Sequence, residues 1–398
     1  MTRNIRLYPW FQFFRNLLFW QAIWFLYLQA ELSAAEAILL AAVFDVATTV
    51  LELPSGYLSD RVGRRITLVL AMVAGTAGAF LLGIGDGFAT FALGQVLLGV
   101  SIAFTSGTDS ALLYESLARE GRAGEVEAQE LNAWRFNFTG LAVSALLGGL
   151  IASVAPAWAF HATAAASAIA LGLALAFREP EHIETTETFT SGRQIGDIRA
   201  ALANRTLGWL FVLAVAMYVL SHVPFVFGQP FILEALDAQG VSRDAAVVSG
   251  AVSASMMLIS VAATWAAPAL RQRLGLANLF LLALGIQVFL IAMLALTNHP
   301  VIIAFLLIRM VPNAFARAYL LAQIQPLIPD RSRATYLSVQ SFTGRLIFAG
   351  SLMAAAGGAS AGALTYADNQ VILVGYLVAG LVVLAGLAVA VRRVRFAE

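Results

Sequence analysis

Carboxylates inside apolar stretches are the first residues of this sequence that could carry chemistry. Asp45, Glu52 and Asp109 each lie within a long run rich in Leu, Ala, Val and Phe. Asp45 and Glu52 are one heptad apart and therefore share a face if the run is helical. A carboxylate in a low-dielectric environment can take up and release a proton near neutral pH, so all three are predicted proton-coupling residues. Structural roles, including an ion pair for Glu52, are the alternatives.

Arginines inside other apolar runs indicate a second kind of chemistry. Arg309 and Arg317 are spaced to lie on one side of a helix, with Asn313 between them. Arg345 lies in the middle of a later run, and no acid lies at a comparable depth in that half of the sequence. Their guanidinium groups need partners, which could be a substrate carboxylate or phosphate, water, backbone carbonyls or carboxylates from the other half.

Arginines in the first half extend this set of candidates. Arg15 and Arg135 lie at a depth similar to that of Glu52 and Asp109, on the order of 10–15 Å from one membrane face, so ion pairs among the four are feasible. The seventh apolar run adds a tyrosine and a histidine on one face as a polar lining, although a lone histidine is also commonly a packing residue. The predicted substrate contacts are Arg15, Arg135, Tyr218, His222, Arg309, Asn313, Arg317 and Arg345.

Long apolar helices must position these residues. Of the 398 residues, 60% are hydrophobic and 12% are charged, and the mean hydropathy of +0.82 indicates a membrane protein. A helix needs about 20 apolar residues to cross the hydrocarbon core. Twelve such runs lie near 9–30, 36–59, 65–85, 88–117, 130–153, 157–177, 206–233, 243–269, 275–297, 300–326, 334–358 and 370–391. The sequence therefore predicts an all-α membrane protein with twelve transmembrane helices.

Arginine is concentrated in alternate polar breaks between these runs. By the positive-inside rule those breaks and both termini are cytoplasmic, which predicts a multi-pass protein of the inner (cytoplasmic) membrane. The longest polar stretch, residues 179–204, divides the sequence near its middle. It predicts a cytoplasmic linker between two six-helix bundles, residues 1–178 and 205–398, an organisation typical of secondary transporters.

The stretch GYLSDRVGRR, residues 56–65, lies between the second and third runs and places one acid and three arginines in ten residues. Its pattern, G-x-x-x-D-R-x-G-R-R, resembles the signature loop of the major facilitator superfamily. The resemblance covers the whole sequence in helix number, halves and loop pattern. The matching residues are Gly56, Asp60, Arg61, Gly63, Arg64 and Arg65.

This resemblance implies an intracellular gate. Asp60 is expected to meet the start of the eleventh helix, and Arg64 to pair with an acid at the cytoplasmic end of the fourth helix, a place that Glu115 occupies. Gly56 is expected to allow close approach of a neighbouring backbone, and Gly63 a tight turn. For the remaining two arginines a topology signal alone is a sufficient explanation.

Two further motifs of the superfamily are incomplete. The fourth-helix pattern R-x-x-x-G appears as Gln95-x-x-x-Gly99, without the arginine that is often linked to proton coupling. The fifth-helix antiporter pattern keeps a small-residue packing surface but lacks its proline. That surface comprises Gly140, Ser144, Ala145, Gly148 and Gly149. Because LELPSG (51–56) and SGTDSALLYESL (106–117) also look like drug exporters, the resemblance favours the drug:proton antiporter branch.

The sequence argues against an enzyme. It has no nucleotide-binding loop, no metal-ligand cluster among its four histidines and no cysteine. We therefore predict no cofactor, no metal and no nucleic-acid partner. The predicted function is proton-coupled efflux of small amphipathic compounds by alternating access, carried out by a monomer in the lipid bilayer. The alternatives are a carrier of an anionic metabolite, a lipid or lysolipid flippase, and a transport-inactive scaffold.

Overall fold

The computed structural model describes residues 2–180, 203–324, 327–328, 330–358, 364–394 and 396. The regular structure of these residues is helical, and no strand occurs among them. The chain divides into two compact units. In its described part, unit 1 holds residues 2–180 together with 243–254, and unit 2 holds the other described residues. The predicted linker, 179–204, lies outside the described residues except at its two ends.

The first half of the chain forms eight helices, several of which start or end at identifiable signals. They are α1 (Thr2–Arg15), α2 (Trp24–Glu31), α3 (Ala34–Val62), α4 (Arg64–Ile84), α5 (Gly87–Thr105), α6 (Thr108–Arg119), α7 (Val126–Val154) and α8 (Pro156–Ala176). A capping box starts α3, because the Ser33 hydroxyl and the Glu36 carboxylate each accept a hydrogen bond from the other residue's backbone N–H. Gly63 separates α3 from α4 with φ 108°, a conformation that favours glycine.

The second half forms five further helices, which are α9 (Arg205–Asp237), α10 (Ala245–Leu296), α11 (Val311–Ile324), α12 (Asp330–Gly358) and α13 (Tyr366–Ala390). Asn204 caps α9 by accepting hydrogen bonds from two backbone N–H groups. Two prolines, Pro224 and Pro230, lie inside α9, and each removes one helical hydrogen bond. At Gly275, with φ 73° and ψ 166°, α10 bends into two helices.

The described helices account for the predicted membrane crossings. By length and hydropathy, nine described segments could cross a membrane. One of them, Ser242–Leu296, supplies two crossings because it bends at Gly275. The segment from α1 to α2 and the helix α12 supply the first and eleventh crossings. The fold is therefore that of an all-α membrane protein with twelve transmembrane helices in two six-helix bundles.

Three of the predicted runs are broken within the membrane-spanning part. The run 9–30 divides into α1, a 3₁₀ segment (Phe19–Ala22) and α2. The run 88–117 divides between α5 and α6, where Gly107 adopts φ 75°. The run 300–326 begins as a 3₁₀ segment (Pro300–Ile308) and continues as α11 after a two-residue turn. Such breaks expose backbone groups that neighbouring side chains or ligands must satisfy.

Small residues of α7 accommodate the break in the first crossing. A Cβ atom at Gly148 would overlap the carbonyl oxygen of Phe19, and one at Gly140 would lie 2.7 Å from the carbonyl oxygen of Phe13. Gln21 donates a hydrogen bond of 2.9 Å to a backbone carbonyl of α7. The small-residue surface predicted from the sequence thus gives the non-helical backbone room to pack closely.

Candidate functional site

Arg64 is the centre of a polar cluster at the end of unit 1 that holds the GYLSDRVGRR stretch. Its Nη1 lies 2.6 Å from Asp60 Oδ1, and its Nε lies 3.1 Å from Glu115 Oε1. Nη1 also donates to Ser59 Oγ at 2.8 Å. The Arg64 and Glu115 side chains are 13% and 11% exposed, whereas Asp60 is 59% exposed. The structure therefore joins α4 to α6 through a largely buried ion pair.

Glu179 caps the start of α4. Its carboxylate oxygens accept from the backbone N–H groups of Arg64 at 2.6 Å and Arg65 at 2.8 Å. A Cβ atom at Gly63 would lie 2.7 Å from the Glu179 carboxyl carbon, so glycine leaves room for this cap. A carboxylate at a helix N-terminus is favoured by the helix dipole.

The other motif residues have different surroundings. Among the described residues, no atom lies within 4 Å of a Cβ built at Gly56, so the expected close approach is absent there. Arg61 donates to the Tyr57 hydroxyl at 2.6 Å. Arg65 donates to a backbone carbonyl of α8 at 2.9 Å. The expected partner of Asp60, the start of the eleventh crossing, has side chains that lie outside the described residues.

A second ion pair joins α1 to α6. Arg15 Nη1 donates to Asp109 Oδ2 at 2.7 Å. Gln12 Nε2 donates to the same oxygen at 2.8 Å and to the Tyr8 hydroxyl at 2.9 Å. The other oxygen, Oδ1, accepts from the backbone N–H of Ser110 at 2.8 Å. Both carboxylate oxygens of Asp109 are therefore hydrogen bonded, one of them to a charged donor.

The helix ends explain the positions of these two charges. Arg15 is the last residue of α1, and Asp109 is the second residue of α6. A helix carries partial negative charge at its C-terminus and partial positive charge at its N-terminus, so the cation and the anion are each favoured where they lie. The breaks in the first and fourth runs therefore place these two charges at helix ends. The ion pair between them is one of the pairs that the sequence allowed, because both residues were expected at a similar depth in the membrane.

The remaining charged candidates of unit 1 have other surroundings. Asp45 is only 6% exposed within α3. Glu52 Oε1 lies 3.3 Å from Ser106 Oγ, just after the end of α5. Arg135 is exposed on α7, and no ion pair joins it to another residue in the described ranges. The structure therefore brings Arg15 and Asp109 together and leaves Arg135 apart.

Aromatic rings stack along one face of α9 in unit 2. The ring centroids of Tyr218 and His222 are 4.1 Å apart. Phe348 of α12 packs 5.4 Å from the His222 centroid and 6.5 Å from that of Tyr218. His222 Nδ1 lies 2.7 Å from the carbonyl oxygen of Tyr218. Because a carbonyl only accepts hydrogen bonds, Nδ1 carries a proton and donates it within its own helix.

Two guanidinium groups lie over aromatic rings of α9. Arg345 Cζ is 5.9 Å from the Tyr218 centroid, and Arg309 Cζ is 5.3 Å from the Phe225 centroid. The Nε atom of Arg309 is buried without a hydrogen-bond partner in the described part of the chain. No ion pair joins Arg309 to a described carboxylate, so this cation lacks a counter-charge there.

The common face predicted for Arg309, Asn313 and Arg317 stays a prediction. Arg309 lies in the turn between the 3₁₀ segment and α11, where it has the α-helical angles φ −52° and ψ −43°. Asn313 and Arg317 lie one turn apart within α11, and Arg317 is exposed. The 3₁₀ segment ends at Ile308, so the irregular part of the tenth crossing comes before Arg309.

Comparison with known proteins assigns the family. Residues 10–352 match the model of the Major Facilitator Superfamily. The chain belongs to this superfamily. A variant of the nucleoside transporter NupG matches with a TM-score of 0.79 and 14% identity over 97% of this chain and 98% of that chain. The POT family transporter PepTSo matches with a TM-score of 0.73 and 13% identity over 99% of both chains. Identities this low show a shared fold alone. No curated protein matches the sequence.

Membership in the Major Facilitator Superfamily makes the protein a multi-pass membrane transporter and not an enzyme. Among the described residues, no group of three or more histidine, aspartate or glutamate side chains is placed to hold a metal ion. The drug:proton antiporter branch stays a prediction, since the superfamily model does not separate its branches.

Sequence reasoning missed several residues that complete these clusters. Glu179 is the second residue after the sixth run, and its position beside Arg178 is a signal from which it could have been predicted. Gln12 is a polar residue within an aromatic run, which is a weaker signal. Phe225 and Phe348 give no signal, because phenylalanine occurs 26 times in the chain and nothing in the spacing marks these two.

Proposed function

We propose that this superfamily member is a proton-coupled secondary active transporter, and that it moves small amphipathic compounds carrying an anionic group by alternating access. The single observation that supports the anionic group is Arg309. Its guanidinium lies over Phe225, and its buried Nε has no hydrogen-bond partner among the described residues. A substrate anion would supply the missing partner.

The energetics at Arg309 favour an anion over other ligands. Placing a charged group inside a membrane span is unfavourable by on the order of several kcal/mol of free energy. Contact of the cation with an aromatic ring stabilises it by only about 0.5–2 kcal/mol. A carboxylate or phosphate can accept two parallel hydrogen bonds from the edge of a guanidinium. Helix α11 begins two residues later, and its N-terminus adds positive potential beside the same position.

For the proton we propose the buried pair of unit 1. A proton on Asp109 would remove its negative charge and weaken the 2.7 Å contact with Arg15 that links α1 to α6. Gln12 would still contact Asp109 after such a change, and it also donates to the Tyr8 hydroxyl. The proposed proton-coupling residues are Asp45, Glu52 and Asp109.

We assign the cytoplasmic gate to the cluster around Arg64. A largely buried ion pair between α4 and α6 can hold two helices in one arrangement and release them when one partner is drawn away. The carboxylate of Asp60 is exposed, so another cation or hydrogen-bond donor could reach it and compete with Arg64.

Efflux is the proposed direction, supported by the small-residue surface of α7 and the exporter-like stretches of the sequence. A carrier of an anionic metabolite would use the same chemistry at Arg309. A lysolipid flippase would use it as well, because a lysolipid joins an anionic head to an apolar tail. These alternatives are therefore distinguished by which compound is transported and not by the residues of the site.

Flux of a defined anion in proteoliposomes tests the proposal. Naphthalene-2-sulfonate suits the assay because it is permanently charged and does not cross a bilayer as a neutral acid. We expect an imposed pH gradient to drive its accumulation, with at least a tenfold loss in Arg309→Gln. The exposed Arg273 provides a matched control, since Arg273→Gln removes a cation of unit 2 outside this cluster. Equal flux in protein-free liposomes, or flux only of a fluorescent lysophosphatidate, would overturn the proposal.

A further inference from the structure

The aromatic side chains on one face of α9 indicate which chemical group accompanies the anion. Tyr218, His222 and Phe225 follow one another at spacings of four and three residues, so they lie on one helix face and form what we call the aromatic stripe. At about 1.5 Å per residue the stripe is about 10 Å long. Arg309 lies over the ring at one end of it.

Packing holds the stripe in place. A Cβ atom at Gly344 would lie 3.1 Å from Tyr218 Cδ1, which shows that the backbone of α12 comes directly against this ring. Phe348, one turn further along α12, contacts both Tyr218 and His222. Side chains that are already ordered lose little conformational freedom when a ligand binds, so they suit a recognition surface.

The position of Arg309 ties its charge to these rings. The guanidinium lies over Phe225, and its buried Nε is unpartnered within the described residues. A carboxylate that binds the Nε edge would therefore place whatever is attached to it beside the aromatic stripe. The Arg309 Nε can donate a hydrogen bond to a carboxylate oxygen, so a carboxylate is the anion proposed here.

We propose that the transported compounds are aryl carboxylates, in which a planar ring is joined to a carboxylate by a short linker. The carboxylate binds Arg309 and the ring packs against the aromatic stripe. This inference rests on the proposed function, and it adds the requirement that the anionic substrate carries an aromatic ring. Aromatic pairs contribute affinity beyond the area they bury, so a flat ring is preferred over a saturated ring of the same size.

Calorimetric titration of the full chain in lipid nanodiscs tests the anion site and the recognition of the ring separately. Three compounds of similar size serve as the probes. We expect 3-phenylpropanoate to bind about tenfold more tightly than 3-cyclohexylpropanoate. This order is opposite to that of simple apolar partitioning, because the saturated ring is the more hydrophobic. We also expect 3-phenylpropanamide, which lacks the charge, to bind at least tenfold more weakly than the phenyl acid.

Each result has a distinct meaning. If both acids bind equally while the amide binds weakly, the aryl inference is overturned and the proposed anion site stands. If the amide binds as tightly as the acid, the proposed function itself fails. If none of the three probes binds at millimolar concentration, the aryl inference is overturned.

Variants of the aromatic residues test whether the preference for a phenyl ring arises at the aromatic stripe. Phe225→Leu is expected to bring the ratio of phenyl-acid to cyclohexyl-acid affinity close to one while keeping the preference for acid over amide. Phe289→Leu, at an exposed phenylalanine of the same unit, is expected to change neither ratio. A monodisperse elution profile checks that each variant is folded. An unchanged ring preference in Phe225→Leu and in Phe348→Leu would overturn the proposal.

Discussion

Asp109 and Arg309 show two ways in which this chain holds a charge inside an apolar span. Asp109 has a guanidinium partner, an amide donor and a backbone donor. Arg309 has an aromatic ring and no counter-charge among the described residues. The Asp109 carboxylate has its hydrogen-bond donors and counter-charge within the protein. Arg309 has no such counter-charge in the described part of the chain, and we propose that a bound anion supplies it. The missing counter-charge is the reason for assigning the substrate anion to unit 2, whereas the proton is assigned to unit 1 because its helices contain the three candidate carboxylates, Asp45, Glu52 and Asp109.

The pair formed by Arg15 and Asp109 gives a prediction at this scale. Asp109→Asn leaves Arg15 without its counter-charge, and breaking such a pair costs about 3–5 kcal/mol when it is fully buried. Because these side chains are 20% and 13% exposed, we expect a smaller loss of stability, seen as a lower Tm in detergent. The double variant Arg15→Gln/Asp109→Asn should recover part of that Tm. An equal Tm in the single variant and the wild type would contradict the pairing.

The membrane crossings were predictable in number and type, because each of them is a long apolar run with polar flanks. Their breaks were not, because neither residues 16–23 nor residues 309–310 contain a glycine or proline that would mark an interruption of the helix. Only the Ser106-Gly107 pair was a local signal, as glycine can adopt the φ of 75° found there. Asp109 and Arg309 were named as candidates from the sequence. Their surroundings were not, because they depend on these breaks and on rings from a distant helix.

Close packing of α7 against the first crossing gives a prediction for an element. Gly148→Ala places a methyl group on the carbonyl oxygen of Phe19, so we expect a Tm several degrees lower or a loss of folded protein. Gly172→Ala in α8 is the matched control, because a Cβ atom there meets nothing within 4 Å. Its Tm should stay the same or rise slightly, as alanine is the better helix former. A similar Tm for both variants would argue against the close approach.

The GYLSDRVGRR cluster gives a second prediction at the level of elements. Asp60→Asn removes a charge next to Arg64 that is 59% exposed, so stability should change little, while transport should fall if this carboxylate works in a gate. Asp86→Asn, at another exposed aspartate of unit 1, is the control. Flux per folded molecule, measured in proteoliposomes, is the readout. Full flux in Asp60→Asn would leave the stretch with a role in topology alone.

At the scale of the whole molecule, composition and the distribution of arginine predict the orientation. Both ends of the chain should be cytoplasmic, because the arginine-rich breaks alternate with breaks that carry few arginines. A reporter that is active only in the cytoplasm, fused after Glu398, checks this directly. An inactive reporter on a well-expressed fusion, together with an active periplasmic reporter at the same place, would contradict the orientation.

Coupling between anion and proton is the central claim, and proton movement driven by an anion gradient tests it most directly. Proteoliposomes filled with a pH-sensitive dye start at equal pH on both sides, with the membrane potential clamped, and receive naphthalene-2-sulfonate on one side. We predict a change of internal pH with the wild-type chain, and none with Arg309→Gln or with Arg15→Gln/Asp109→Asn. Anion flux without any change of internal pH in the wild type would contradict the claim.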